Sequence, residues 1–382
     1  MVGRRAGVER VVIVGGGVGG LACAQALRAH GYAGGLVILD PAPFPYDRPP
    51  LSKDYLAGSV SLEGIALATS AGLAEQGIDW QRATVTALRA ESPEVDLADG
   101  RTLAADRIVL ALGGDAIRPP IPGADSARVH VVRDVADADR LREALGHAGE
   151  GARVLVVGAG LIGAETASTL NGLGASVTLV DPVPTPLAGA VGPELATWLH
   201  ARHRAYGVET IVGTVQALQE TSAGLAAQLS GEPDSRAFDV AVIGVGMSPR
   251  VALAEQAGIE VDRGILVDRT RTTSRPAVLA IGDCARLRDH ARAEHWEAAQ
   301  HDGQRAAAAI LGVDPPATVD GAPWFWTDRY GLHVEAVGEM RAADATHDTV
   351  VRGVTGAPPY SVWTLRGGRV VGAAAVDDGP AV

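Results

Sequence analysis

Lysine occurs once in the 382-residue chain, at position 53, and arginine supplies the other 32 of its 33 basic side chains. Arginine is a broad fork that stays charged, whereas lysine is a compact ammonium whose charge responds to its surroundings. One lysine kept among so many arginines is either a chance of composition or a position that could not make the exchange, and the rest of the chain has to decide. Lys53 lies in Asp47-Arg48-Pro49-Pro50-Leu51-Ser52-Lys53-Asp54. Two further constellations carry chemistry. Gly15, Gly17 and Gly20 are followed twenty residues on by Asp40, and Gly158, Gly160 and Gly163 are followed eighteen residues on by Asp181. In such a fingerprint the first glycine permits a tight turn and the second lets backbone approach a pyrophosphate. The third lets helix and strand pack closely, and the acid bonds ribose hydroxyls. That chemistry is dinucleotide binding, and the chain contains it twice.

The elements needed to position these residues are legible around them. Residues 10–14 are an apolar, β-branched run of the kind buried in parallel sheets, 21–30 have a helical pattern closed by Gly31, and 36–39 form a second strand ending at Asp40. The order recurs with a strand at 153–157, a helix at 164–173 capped by Gly174, and a strand at 177–180 before Asp181. Each repeat has a later return strand, at 107–112 and at 238–243. A charged helical connector is expected at 134–147. A third site lies where a strand at 277–281 runs into Gly282-Asp283-Cys284, because open α/β sheets bind ligands at strand carboxyl ends. A helix follows from about 297 to 311. Beyond residue 315 the aromatic Trp324-Phe325-Trp326 and short alternating strands read as a small α+β domain, mostly antiparallel.

The totals narrow the class. The length allows two or three domains, and 47% apolar residues with 48 glycines favour an α/β enzyme rich in strand-to-helix turns. Cys23 and Cys284 stand in no metal or redox spacing, so neither a disulfide framework nor a Cys-pair redox centre is expected, and no metal site. No membrane span and no secretory signal are apparent, and a reducing cytoplasm is the expected compartment. A net charge of −12 argues against a nucleic-acid partner.

Two dinucleotides on one chain imply electron relay, with a nicotinamide delivering hydride to a bound flavin. The helix starting near Trp296-Glu297 would aim its positive dipole end at the negative edge of a reduced flavin, and Lys53 is the candidate for the other edge. A carboxylate at Asp181, with no arginine in Pro182-Val183-Pro184-Thr185-Pro186, favours NADH over NADPH.

With these motifs assembled, the chain resembles the oxygenase-coupled NADH:ferredoxin reductases, FAD flavoproteins of the putidaredoxin reductase and biphenyl dioxygenase reductase type. The likeness runs from about Val11 to about Ala374. Its most specific motifs are Pro45-Tyr46-Asp47-Arg48-Pro49-Pro50-Leu51-Ser52-Lys53 and Pro323-Trp324-Phe325-Trp326-Thr327-Asp328. The resemblance implies two Rossmann-like domains, the second inserted in the first, with residues 1–114 and 236–315 holding FAD, 115–235 holding NAD, and 316–382 as a C-terminal interface domain. It further implies that Asp40 meets the adenosine ribose and Asp283 the ribityl chain. Arg48, Lys53, Val85 and Arg133 would line the flavin, Trp296 would lie at its pyrimidine edge, and Lys53 would pair with Glu165. A buried ammonium is tolerable when a carboxylate meets it.

The chain departs from the family in three places. Ala111-Leu112-Gly113 replaces Ala-Thr-Gly, the segment from Asp283 to Trp296 is short, and no closing helix precedes Val382. The implied acceptor is a [2Fe–2S] ferredoxin serving a cytochrome P450 or a ring-hydroxylating oxygenase. It would dock near Arg286, Arg288 and Arg292, on a monomer or homodimer. The alternatives are an NADH oxidase or diaphorase with another acceptor, and a redox sensor signalling through an NADH–flavin complex.

Overall fold

The computed structural model describes residues 8–317, 322 and 324–379. Pro323 of the aromatic motif, most of the polar arm ahead of Arg10 and the last residues before Val382 lie outside that set. Two compact units make up the chain.

The first unit comprises the described residues through Asp47, then Ile65–Asp115, and the chain from Ser248 through the helix Trp296–Leu311. Its five-stranded sheet is parallel throughout, in the order Val278–Ala280, Arg107–Leu110, Arg10–Val14, Gly35–Asp40, Asp79–Arg82. Strands buried on both faces must be apolar at every position, and Val11, Val12 and Ile13 are each fully buried. Val12, Val14, Leu39 and Leu110 face one side with Val95 and Ile265, while Val11, Ile13, Ile38 and Val109 face the helix residues Leu21 and Leu27. Each such side chain contributes about 1.5–3 kcal/mol through burial. The strand order reverses beside Arg10–Val14, the switch point where an open α/β sheet leaves a crevice for a ligand.

The second unit repeats that plan with Glu209–Val212, Ser176–Asp181, Arg153–Val157, Val240–Ile243 and Val129–His130, again all parallel. The duplication extends to a three-stranded antiparallel meander before each return strand. In the first unit it is Val85–Arg89, Glu94–Leu97 and Thr102–Ala104. In the second it is Val215–Thr221, Gly224–Leu229 and Arg236–Phe238. The return expected as one strand over 238–243 is therefore two strands divided at Asp239. The Asp239 carboxylate accepts a hydrogen bond from Arg153 N at 2.8 Å and a further one from the Arg153 guanidinium at 2.7 Å, which ends the meander and starts the parallel strand.

Three expectations about boundaries change. Val240–Ile243 pairs with Val154–Val157, so residues 236–247 belong to the second unit and not to the discontinuous first domain. Arg48–Gly64 also belongs to the second unit. The C-terminal segment is one antiparallel sheet in the order Trp324–Arg329, Leu332–Gly338, Arg369–Val376, Ala357–Arg366, His347–Val354, and it too packs within the second unit. Its helical layer comes from mid-chain: Leu195 and Leu199 of the helix Pro193–Ala205 share a core with Val334, Tyr360, Val362 and Ala374. The aromatic Trp-Phe-Trp segment is itself a strand of this sheet.

Candidate functional site

Both glycine fingerprints fold into the same cradle. In the first unit Gly15 has φ +104, and a Cβ there would stand 2.2 Å from Ala111 O. Only glycine takes that turn without strain. Gly20 lies so close to the strand that a Cβ would fall 2.0 Å from Gly15 O, whereas a Cβ at Gly17 would meet nothing within 4 Å. Gly17 is the N-cap of the helix Val18–Ala29, and no side chain caps it. The open space at Gly17 and the uncapped N–H groups are what a pyrophosphate needs. Asp40 orients the loop, its two oxygens accepting from Gly16 N at 2.7 Å and Ala42 N at 2.8 Å.

The second unit follows the same plan. Gly158 has φ +97 with a Cβ position 2.5 Å from Gly244 O, a Cβ on Gly163 would fall 1.9 Å from Gly158 O, and a Cβ on Gly160 would meet nothing within 4 Å. Gly160 is the uncapped N-cap of the helix Leu161–Gly172. Asp181 accepts from Ala159 N at 2.7 Å and Val183 N at 2.8 Å. Each acid thus holds its loop from below while retaining lone pairs for a ribose.

The remaining expected residues divide between the units. Val85, Asp283 and Trp296 are in the first; Arg48, Lys53, Arg133 and Glu165 are in the second. Val85 opens the first meander, paired with Leu97. Asp283 sits in the 3-10 turn Gly282–Cys284. Asp302 fixes that turn: its carboxylate accepts Gly282 N at 3.1 Å and the Arg271 guanidinium at 2.6 Å, and burial pushes its pKa up. Trp296 opens its helix, and its indole N–H donates to Asp47 at 2.8 Å. Arg48 precedes the 3-10 turn Pro49–Ser52, and Arg133 N donates to Asp137 at 3.1 Å where the helix Val135–Ala148 begins.

Lys53 lies in a network of carboxylates and hydroxyls inside the second unit. The expected pair with Glu165 is made, Nζ to Oε1, at 3.7 Å. The nearer partner is Asp328, at 2.5 Å, and the ammonium also lies 5.7 Å from the centre of the Trp326 ring. Glu165 is buried, and it accepts from Ser52 Oγ at 2.6 Å, Thr327 Oγ1 at 2.8 Å and Asp328 N at 3.3 Å. Three donors replace the water that burial removed, so the carboxylate is satisfied without a short bond to Lys53. Thr169 ties the lysine loop to the Glu165 helix by donating to Ser52 O at 2.8 Å.

Asp328 is bridged on both oxygens. Its Oδ1 lies 2.5 Å from His333 Nδ1. Burial would raise the Asp328 pKa, but the bonds from Lys53 and His333 outweigh it and hold the carboxyl below its ordinary range. For His333 burial lowers the pKa, and Asp328 and Glu335 more than reverse this. Ser52, Thr327 and Asp328 were not singled out from the sequence, although each lies in one of the two most specific motifs.

The expected basic docking patch is neutralised. Arg286 bonds Asp262 and Arg288 bonds Glu260, each at 2.6 Å, and Arg292 pairs with Glu294. Each of the three arginines is matched by an acid, which reduces the free positive charge of the cluster.

Residues 9–303 match the pyridine nucleotide-disulphide oxidoreductase family. The chain belongs to that family. Its residues 324–382 match the reductase C-terminal family. Over 379 residues this oxidoreductase is 35% identical to putidaredoxin reductase of Pseudomonas putida, covering 95% of this chain and 87% of that one. It is also 35% identical to the ferredoxin–NAD(+) reductase component of the anthranilate 1,2-dioxygenase system of Burkholderia cepacia, covering 96% and 91%. Its fold matches the crystal structure of the covalent putidaredoxin reductase–putidaredoxin complex, with a TM-score of 0.88 at 31% identity over 98% of this chain and 91% of that one. The disulphide chemistry in the family's description does not carry over: Cys23 and Cys284 are free and buried, and burial pushes both thiols up to about 12. Among the described residues no helix is long and apolar enough to cross a membrane, and no cluster of His, Cys, Asp and Glu could hold a metal ion.

Proposed function

We propose that the protein is an NADH:ferredoxin reductase, with FAD in the first unit's cradle and NADH in the second's. The supporting observation is the matched pair of cradles, each with an open second glycine above an acid-held loop. The named relatives supply the class of acceptor. When bound there, FAD would supply the chemistry that links a two-electron hydride donor to single-electron acceptors. The chain's own residues bind and orient. Gly17 and Gly160 admit the two pyrophosphates, and Asp40 and Asp181 take ribose hydroxyls. The Asp181 carboxylate repels a 2′-phosphate and so selects NADH. Lys53, held by Asp328 and Glu165, supplies the positive charge that assists hydride transfer. The acceptor is a [2Fe–2S] ferredoxin serving a cytochrome P450 or ring-hydroxylating oxygenase. Because Arg286, Arg288 and Arg292 are already paired with acids, reversing Arg288 to Glu is expected to weaken ferredoxin turnover only slightly.

The purified protein should carry flavin absorption bands that bleach anaerobically on adding NADH. The reduced protein should then pass electrons to a [2Fe–2S] ferredoxin much faster than to oxygen. Turnover with oxygen alone would instead indicate an oxidase, and bleaching that persists with every acceptor would indicate a sensor.

A further inference from the structure

We propose that Asp328 and His333 form a relay through which Lys53 exchanges protons with solvent, and that this relay carries away the proton released in each turnover. The inference rests on the electron-transfer reading above. Oxidation of NADH by two one-electron acceptors is NADH + 2 acceptor(ox) → NAD+ + 2 acceptor(red) + H+. The C–H bond of the nicotinamide breaks, its electron pair divides between two acceptors, and one proton must reach water.

Within the second unit, Lys53 has two carboxylates to hand, and they differ in kind. Glu165 accepts three hydrogen bonds and its side chain is 5% exposed, so it has neither a spare position nor a route outward. Asp328 receives Lys53 Nζ on Oδ2 and His333 Nδ1 on Oδ1, both at 2.5 Å. One carboxylate bonded by a different nitrogen on each oxygen can take a proton on one side and yield it on the other. The second ring nitrogen of His333 lies 3.6 Å from Glu335 Oε1, and the side chain is 47% exposed. The path thus runs from a nearly buried ammonium through Asp328, 38% exposed, to the more exposed imidazole.

The geometry is fixed in advance. Asp328 and His333 are directly opposed across the hairpin of Trp324–Arg329 and Leu332–Gly338. The two-residue turn has φ +54 at Tyr330 and +73 at Gly331, the left-handed pair of a type I′ turn. A tyrosine in that region is strained. It is held there because Tyr330 stacks on Tyr206 at 4.4 Å and its hydroxyl lies 2.6 Å from His203 Nδ1. The charged groups facing His333 are Asp328 on the opposing strand, Glu335 on its own, and Asp377, whose Oδ1 accepts His333 N at 2.8 Å; Lys53 lies beyond Asp328. The two carboxylates at the ring, Asp328 and Glu335, outweigh burial and raise the imidazole's pKa from its ordinary value.

Single-turnover stopped flow in weak buffer, with a pH-indicator dye and a one-electron acceptor, tests the relay on the holoenzyme. In the natural protein proton release should keep step with electron transfer. In His333→Gln, which keeps a donor for Asp328 but carries no exchangeable ring proton, release should lag by roughly tenfold or more, and added imidazole should restore it. NMR titration should find the raised His333 pKa in the natural protein and its fall in Asp328→Asn, independent of turnover. Proton release that stays in step in His333→Gln at every pH, or a lag that imidazole leaves unchanged, would overturn the relay. Failure of the natural protein itself to reduce one-electron acceptors would instead overturn the reading on which the relay rests.

Discussion

Gly17 and Gly20 stand three residues apart and should respond oppositely to the same substitution. Gly17 has φ −66 and ψ −174, extended backbone open to any residue, and its Cβ position is empty. Gly17→Ala should therefore leave melting of the flavin-free protein unchanged while sharply lowering flavin content. Gly20→Ala places a Cβ 2.0 Å from Gly15 O and should cost about 1–3 kcal/mol before any cofactor binds. Thermal melts with and without added FAD separate the two. Lys53→Met should slow flavin reduction by NADH, measured by anaerobic stopped flow, and an unchanged rate would remove its role. Asp181→Ala should narrow the preference for NADH over NADPH by about tenfold, or ~1.4 kcal/mol, in the ratio of kcat/KM values. The glycines and acids were legible in the sequence because their roles are local: a turn, a close approach, a loop held by the nearest carboxylate. The grip on Glu165 was not. Ser52 and Thr327 reach it across 113 and 162 positions of chain, and no local spacing encodes such a contact.

At the scale of elements, the helices Val18–Ala29 and Trp296–Leu311 of the first unit cross in close contact. A Cβ on Gly303 would stand 2.4 Å from Gly19 O and 2.7 Å from Cys23 N. Backbone cannot yield as a flexible side chain does, so Gly303→Val should push the helices apart. The expected cost is about 1–3 kcal/mol, read as a fall in the urea midpoint. Both helices were visible in the sequence from their periodicity, but their contact was not, since a lone glycine in a helical run signals only a weakness. The parallel strands were equally visible as apolar runs. The split at Asp239 was harder to find, because a one-residue break set by a carboxylate–backbone bond leaves no mark on hydrophobic periodicity. The pairing of the arginine cluster was hidden for a related reason. Arg286, Arg288 and Arg292 are neighbours in sequence, but their acids are supplied by Glu260, Asp262 and Glu294. Glu294 is local to the cluster, but a count of local charge cannot see Glu260 and Asp262, which another segment contributes.

At the scale of the whole molecule, a duplicated dinucleotide fold is combined with an antiparallel sheet that brings Thr327, Asp328 and His333 to the second unit's lysine. That unit also buries two neutral histidines. Burial, reinforced by Arg329 and His200, lowers His203 to about 3, and burial with Arg118 and Arg140 lowers His130 to about 4. The unfolded chain takes up these protons first, below the ordinary 6.5, so their contribution to stability is intact above that value. It is lost as pH falls towards 3–4, at up to about 1.4 kcal/mol per pH unit for each histidine. Urea unfolding from pH 7 to 4 should show this slope, and His203→Asn should flatten it.

The central claim is that one chain carries hydride from NADH into single electrons for an iron–sulfur acceptor. Its most direct test is an anaerobic titration of NADH into the flavin-loaded protein with excess [2Fe–2S] ferredoxin, counting both products by absorbance. Two ferredoxins reduced per NADH, far faster than the protein reduces oxygen in a parallel aerobic run, is the predicted result. NADH consumption that leaves ferredoxin oxidised would contradict it.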